Sequence, residues 1–304
     1  MSNQRKTQKI GNYFPKISSI VKWLRDIKTS LSVLLRLIKL RYPFGLIRCQ
    51  IVNLLNYTLI YPVGRIMLGR KIGGRICVFL LHASCSSKIL PLPAPLKSKI
   101  MVLQGEMSYG SPYIEIYILD AYNIRLLKEG MIVVDVGANI GVYTVLAAEK
   151  VGKNGKVIAI EPEPKNYQQL LKNIKLNNFQ NVTPINIALA DHNGIEKLYI
   201  SYCAGLHSLI ASENTISSIK VSLKTVDKLL EELNLKKIDI IKIDTEGSEL
   251  PVLRGAEKTL KANPNMKIIV ATEHYPSETK EVRQFLNDRG FKITVSRNGI
   301  VMAV

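Results

Sequence analysis

The chain has 304 residues, of which 47% are hydrophobic and 22% charged, enough apolar material for one large α/β domain with an extension and too much for a disordered chain. The formal net charge of +18 is unevenly placed: residues 1–100 hold 18 Lys or Arg against one acid, Asp26, while the other 204 residues hold 24 basic and 23 acidic groups. Cys49, Cys77, Cys85 and Cys203 show no CxxC spacing, which suggests neither a zinc site nor a disulfide framework and points to reduced thiols in a cytoplasmic setting.

Residues 1–16 are polar and basic and read as a disordered start. From Ile17 to Leu40 the apolar residues Ile17, Ile20, Val21, Leu24, Ile27, Leu31, Leu34, Leu35 and Ile38 recur at helical spacing. Lys22, Arg25, Lys28, Arg36 and Lys39 sit mostly off that stripe. This is the pattern of a basic amphipathic helix that lies on an anionic membrane surface, or of one that packs on a neighbouring domain. The longest uncharged run, Cys49 to Gly64, has 16 residues and contains Gln50, Asn53, Asn56 and Pro62. A spanning helix wants about 20 mostly apolar residues, so no span is expected. The first 48 residues, interrupted by Lys and Arg, carry no secretory signal. The expected location is cytoplasmic, with peripheral contact on the inner face of the membrane.

The stiff stretch Leu90-Pro-Leu-Pro-Ala-Pro95 marks a boundary. Residues 1–95 form the basic extension and 96–304 the main domain, with its core from 131. Residues 114–127 read as a helix leading into that core. From Met131, short apolar runs alternate with helical patterns. Strands are expected at 132–136, 157–161, 182–187, 195–200, 238–243, 267–272, 291–295 and 300–303, and helices at 140–150, 164–177, 248–261 and 277–288. Near-continuous apolar strands alternating with helices imply a parallel sheet covered on both faces. Asn298-Gly299 suits a tight hairpin, so the last strand should run antiparallel to its neighbour.

Ligands of such sheets bind beyond the carboxyl ends of the strands. The first expected strand ends in Asp135-Val-Gly-Ala-Asn-Ile-Gly141, where Gly137 and Gly141 allow a tight turn and close approach of backbone to ligand. The second ends in Glu161, an acid placed to accept hydrogen bonds from a ribose diol. The third leads to Asp191, either an adenine contact or a plain turn residue. The fourth reads Asp239-Ile-Ile-Lys-Ile-Asp-Thr-Glu-Gly-Ser-Glu249 and brings Lys242, Asp244 and Glu246 to one edge; Lys242, inside an apolar strand, needs an acidic partner. The fifth adds Glu273 and His274. Several titratable groups converging at one edge read as a site rather than a solvated face.

Residues 131–255 resemble the FkbM family of class I methyltransferases. The resemblance rests on Val134-Asp-Val-Gly-Ala-Asn-Ile-Gly141, Glu161-Pro162, Ala188-Leu-Ala-Asp191, Gly205-Leu-His-Ser208, Ile241-Lys-Ile-Asp-Thr-Glu-Gly247 and Leu253-Arg-Gly255. It implies a Rossmann-like, mostly parallel seven-stranded sheet with an antiparallel last strand. It also implies S-adenosylmethionine as methyl donor and a hydroxyl acceptor on a glycan, a lipid-linked sugar or a secondary metabolite. By the same resemblance, Asp135, Gly137, Asn139 and Gly141 would hold the methionine part, Glu161 the ribose and Asp191 the adenine end, with Asp244 facing the sulfonium.

Methyl transfer from a sulfonium depends mainly on alignment, and a hydroxyl acceptor gains from a base that takes its proton. Asp244, Glu246, Glu273, His274 and His207 are the candidates, with Lys242 beside them. A metal held by Asp244, Glu246, Glu273 and His274 is chemically feasible, but none is expected. Three other functions fit the sequence less well. A nicotinamide oxidoreductase lacks its GxGxxG. An RNA methyltransferase would use the basic arm, yet the arm has few aromatics for base stacking and nucleic acid is not the expected partner. A non-enzymatic membrane adaptor would not need the intact Asp135, Gly137, Gly141 and Glu161.

Overall fold

The computed structural model describes residues 88–91, 99–102, 116, 120–201, 205–213, 215–297 and 299–304. The amphipathic segment 17–40 and the rest of the basic arm lie outside them. One compact unit takes in Ile89–Met101 and Asp120–Val304. Strands β1 (Lys88–Pro91) and β2 (Lys99–Val102) pair as a two-stranded sheet. The segment expected as a helix over 114–127 is corrected in its described part: Asp120–Leu127 is a turn and a single 3-10 turn, Ile124–Leu126. The Asp120 carboxylate accepts from the Ile124 amide at 2.7 Å, a local bond that competes with helix continuation.

The elements that follow are β3 (Ile132–Val136), α1 (Val142–Val151), β4 (Lys156–Ile160), α2 (Pro164–Leu176), β5 (Val182–Ile185) and β6 (Ala188–Leu189). After them come β7 (Gly194–Ser201), β8 (Thr215–Lys224), α3 (Val226–Glu232), β9 (Ile240–Ile243), α4 (Glu249–Arg254) and α5 (Glu257–Ala262). The chain closes with β10 (Lys267–Ala271), α6 (Glu278–Asn287), β11 (Ile293–Arg297) and β12 (Ile300–Ala303). The main sheet has seven strands in the order β11-β12-β10-β9-β3-β4-β5. All run parallel except β12, which is antiparallel to both β10 and β11. The chain leaves β3 for β4 on one side and returns to β9 on the other, so the order reverses at β3, where this class of sheet opens its ligand crevice. Pro184 lies on β5, an edge strand, where a missing N–H is tolerated.

Period-two alternation sorts the strand residues. Val134, Val136, Ile158, Ile160, Ile241, Ile243, Ile268 and Val270 join one buried cluster with Val226, Leu229, Val252, Leu253, Val282 and Leu286 of α3, α4 and α6. Each such fully buried side chain contributes roughly 1.5–3 kcal/mol. The opposite face carries Ala159 with Leu170 of α2. Helix α2 starts as its sequence dictates: Glu163 caps it by accepting from the Asn166 amide, and Pro164 takes the first turn.

Two sequence expectations need correction. The helix expected over 248–261 is two helices, α4 and α5, parted at Gly255–Ala256, where the backbone passes so close to the Ala190 carbonyl oxygen that an added Cβ on Gly255 would stand 2.0 Å from it. The chain bends there, and Asp227 of α3 caps α5 by accepting from the Lys258 and Thr259 amides at 2.9 and 2.8 Å. The strand expected at 195–200 belongs to a separate three-stranded sheet, β6-β8-β7, in which β7 pairs antiparallel with β8.

Gly255→Ala should lower stability by about 1–3 kcal/mol, the usual cost of overpacking against backbone that cannot yield. It should appear in urea denaturation as a lower midpoint with an unchanged slope.

Candidate active site

The parallel register sets Asp135 of β3 directly beside Lys242 of β9. Both side chains are buried, at 0% and 3% exposure. The Lys242 Nζ stands 3.2 Å from Asp135 Oδ1 and 3.6 Å from Asp244 Oδ2, and it donates to the Gly137 carbonyl at 2.8 Å. Burial works against the Lys242 charge, but the facing Asp135 and Asp244 outweigh it and raise its pKa. Thr144 of α1 donates to Asp135 Oδ2 at 2.6 Å. Asp135 therefore holds an amine, but the amine is the protein's own. The tie locks the strand end behind the turn that follows.

That turn needs glycine. Gly137 has φ 74°, and a Cβ there would stand 1.8 Å from the Asp244 carbonyl oxygen. Gly141, φ 91°, lies so close to Leu170 that a Cβ would meet its Cδ1 at 2.6 Å. Asn139 adopts φ 52° between them, and its amide donates to Glu161 Oε2 at 2.8 Å. The other Glu161 oxygen accepts from the Glu163 amide at 2.9 Å. Burial outweighs these two bonds and pushes the Glu161 carboxyl up to about 7. Asp191 stands apart: it pairs with its neighbour His192 at 2.8 Å and keeps 43% side-chain exposure.

The second half of the edge is built by the turn after β9. Glu246 takes φ 56°, a left-handed conformation costly for a side-chain-bearing residue. Ser208 holds it by donating to the Glu246 carbonyl at 2.6 Å. Glu249, at the start of α4, accepts from the Thr245 and Gly247 amides at 2.6 and 2.9 Å. His274 reaches in from the end of β10. Its Nε2 lies 3.6 Å from Glu246 Oε2 and 4.0 Å from Asp244 Oδ1; its Nδ1 lies 3.4 Å from Glu249 Oε2 and 3.2 Å from Glu278 Oε2. Burial would lower the imidazole pKa, but hydrogen bonding and charge from Glu249, with Glu246 and Asp244, raise it to about 10. Burial and the Asp244 charge push Glu246 up to about 8. Donor atoms of Asp244, Glu246 and His274 lie within 4.8 Å of one another, close enough to share a cation.

The remaining candidates lie at the rim. Glu273 is exposed and lies along Gly299 rather than in the cluster. His207 is half-buried, which lowers its pKa. Its Nδ1 accepts from the Ser201 amide at 3.1 Å, placing its proton on Nε2. The loop carrying it crosses the edge: an added Cβ on Gly205 would stand 3.9 Å from Asn139 Nδ2, and one on Gly247 would stand 3.4 Å from Ile210 Cδ1.

Sequence reasoning missed four residues of this site. Tyr122 donates to Asp244 Oδ2 at 2.7 Å and meets Tyr143 edge-on at 5.7 Å. Its segment had the wrong secondary structure, and no sequence signal marked it. The Tyr143 hydroxyl is buried with no hydrogen-bond partner among the described residues. Glu249 and Glu278 sit in the first turns of α4 and α6, where acids are ordinary helix starters; only the fold shows both facing one imidazole.

With this geometry in hand, the comparisons decide the family: the Methyltransferase FkbM domain matches residues 135–293, from the buried Asp135 to β11. The chain belongs to the FkbM methyltransferases. Methyltransferase sdnD of Sordaria araneosa is 27% identical over 219 residues, covering 61% of this chain and 83% of that protein. Methyltransferase 1 of Beauveria bassiana is 24% identical over 206 residues, covering 60% and 81%. The hexuronic acid methyltransferase AglP of Haloferax volcanii is 26% identical over 180 residues, covering 57% and 70%. In this FkbM methyltransferase the matched segment contains both halves of the carboxyl edge, whereas Tyr122 lies before it.

Lys242→Met should destabilise the protein by about 3–5 kcal/mol, because it strands the buried Asp135 charge. The double change Asp135→Leu with Lys242→Met should recover most of that loss in chemical denaturation, since no lone charge is then left behind.

Proposed function

We propose that this methyltransferase uses S-adenosylmethionine to methylate a hydroxyl of a glycan, a lipid-linked sugar or another small molecule, with Glu246 as the base. The cradle fits the donor. Gly137 and Gly141 hold the turn where any Cβ would collide, and the buried Glu161 carboxylate ends β4 beside the Asn139 amide. Gly137, Asn139 and Gly141 would take the methionine part, Glu161 the ribose hydroxyls and Asp191 the adenine amine. Asp135 supports this turn from behind through Lys242 and Thr144. When bound, S-adenosylmethionine supplies an electrophilic methyl group on a good leaving group.

The observation that carries the choice of base is the state of the groups around the edge. Hydrogen bonding and charge from the carboxylates around it push the His274 imidazole up to about 10, too high for a base near neutral pH. His207 already uses its Nδ1 lone pair on the Ser201 amide. Lys242 is a buried cation, and Asp244 takes hydrogen bonding from Tyr122. Glu246 remains, partly exposed and held in a strained turn, with a proton affinity raised toward that of a useful base. It would take the acceptor hydroxyl's proton on a carboxylate oxygen, while Asp244, fixed by Tyr122 and Lys242, orients the neighbouring wall. The loop over 205–210 excludes water and frames the acceptor. Among the described residues, no helix is long and apolar enough to cross a membrane. The excess of 18 basic residues over one acid in residues 1–100 supports docking of that arm on an anionic bilayer. The full chain should then sediment with phosphatidylserine vesicles, and not with neutral ones, in a salt-sensitive manner.

Two measurements test the site. Calorimetric titration with S-adenosylhomocysteine should show Glu161→Gln binding at least about tenfold more weakly, or about 1.4 kcal/mol. Wild-type affinity should also fall as the pH drops through about 7, where Glu161 gains its proton. Methyl transfer from labelled S-adenosylmethionine to fractionated glycolipid and glycan extracts should rise with pH through about 8, because Glu246 must lose its proton to act. Glu246→Gln should abolish that limb and lower the rate by about 100-fold or more.

A further inference from the structure

Three buried side-chain atoms among the described residues make no hydrogen bond: Asp135 Oδ1, Glu278 Oε1 and the Tyr143 hydroxyl. The two carboxylates are otherwise engaged. Asp135 Oδ1 faces the Lys242 ammonium at 3.2 Å, and Glu278 accepts from the His274 amide through its second oxygen. The Tyr143 hydroxyl has neither a hydrogen bond nor an ion pair among the described residues, and Tyr143 is only 2% exposed. A hydroxyl taken out of water with no bond in return costs stability, and a phenylalanine would fill the same space without that cost. Native sites rarely leave such an atom unanswered, so its partner comes from outside the protein.

The place of the hydroxyl says what that partner is. Tyr143 is the second residue of α1, directly after the turn that ends at Gly141. Helix side chains lean back toward the N-terminus, and the contacts of this ring agree. It meets Tyr122 edge-on at 5.7 Å, and Tyr122 in turn donates to Asp244 at the strand ends. The start of a helix favours an anion, and α1 begins with no side-chain cap and no acid in its first turn. Burial and the nearby Asp135 charge push the phenol far above its ordinary pKa, so it stays protonated and has a proton to donate.

We propose that the Tyr143 hydroxyl donates to the α-carboxylate of S-adenosylmethionine and completes the methionine end of the donor site at the start of α1. The fit is chemical: a buried donor and an unanswered helix start both suit a carboxylate. Asp135, the acid nearest the phenol, does not oppose it, because its charge already meets Lys242 and the Thr144 hydroxyl. Tyr122, itself 5% exposed, packs on the Tyr143 ring and keeps water from it, which strengthens a hydrogen bond made there. Tyr143 is therefore a cofactor-binding residue with no part in proton transfer, and Tyr122 positions it.

The proposal rests on the methionine part lying at the glycine turn, and calorimetry on the full chain separates the two. The probes are S-adenosylhomocysteine, its decarboxylated analogue, and methylthioadenosine, which lacks the whole amino-acid end. Tyr143→Phe should bind S-adenosylhomocysteine about tenfold more weakly than the wild type, the usual effect of losing a hydrogen bond to a charged group. It should bind the other two probes as the wild type does. Without ligand, its urea midpoint should equal or exceed that of the wild type, since the hydroxyl has no bond within the fold to lose. A lower midpoint, or a variant that does not fold, overturns the proposal, because the hydroxyl then serves the fold. Unchanged S-adenosylhomocysteine affinity in the folded variant also overturns it and leaves the glycine-turn reading standing. An equal loss for the decarboxylated analogue overturns the carboxylate as the partner. A wild type that binds methylthioadenosine as tightly as S-adenosylhomocysteine refutes the glycine-turn reading, and the proposal with it.

Discussion

A single register match, Asp135 of β3 beside Lys242 of β9, constrains the site on both of its sides. Two opposite charges meet inside an otherwise apolar sheet, where each alone would cost several kcal/mol. Their pairing requires β3 and β9 to align as they do; a shift of one residue would send each charge to the other face. The same ammonium reaches the Gly137 carbonyl and lies near Asp244. The glycine turn after β3 and the turn after β9 are thereby tied to one buried atom, and neither can move far without stranding it.

Beyond this pair, charges alternate outward along the carboxyl edge. Lys242 sits between Asp135 and Asp244, and His274 sits between Asp244 with Glu246 and Glu249 with Glu278. Asp135, Lys242, Glu249 and Glu278 are buried, whereas Asp244 and Glu246 are each about a quarter exposed. Glu246 lies in the turn after β9, where Ser208 donates to its carbonyl.

Much of this was legible in the residues. Apolar runs at 132–136, 157–161 and 238–243 located β3, β4 and β9 within a residue or two, because fully buried parallel strands are written as continuous hydrophobic stretches. Asp135 and Lys242 stood out as charges inside such runs, but that each is the other's partner depends on strand pairing, which no local pattern carries. The break between α4 and α5 was hidden for a similar reason: the helical periodicity continues past Gly255, and the Ala190 carbonyl packed against that glycine comes from a distant turn. Strand β8 went unassigned because Ser and Lys fill its outward positions and dilute the alternation of Ile219, Val221 and Leu223. The ring of acids about His274 assembles from a β-strand end and two helix starts, each unremarkable in its own segment.

The place of β12 has a consequence for how this molecule comes into being. It is synthesised after every other strand of the main sheet, yet it lies in the interior, between β10 and β11, with Val301 and Ala303 almost wholly buried. During translation the β10 edge stays open until residues 300–303 have left the ribosome, and β11 has no neighbour in the sheet to pair with. The methyltransferase sheet therefore closes by insertion of β12 between two strands made before it, rather than by growth at an edge. Until then the nascent chain offers an exposed apolar strand edge, the kind of surface that chaperones bind and that promotes aggregation.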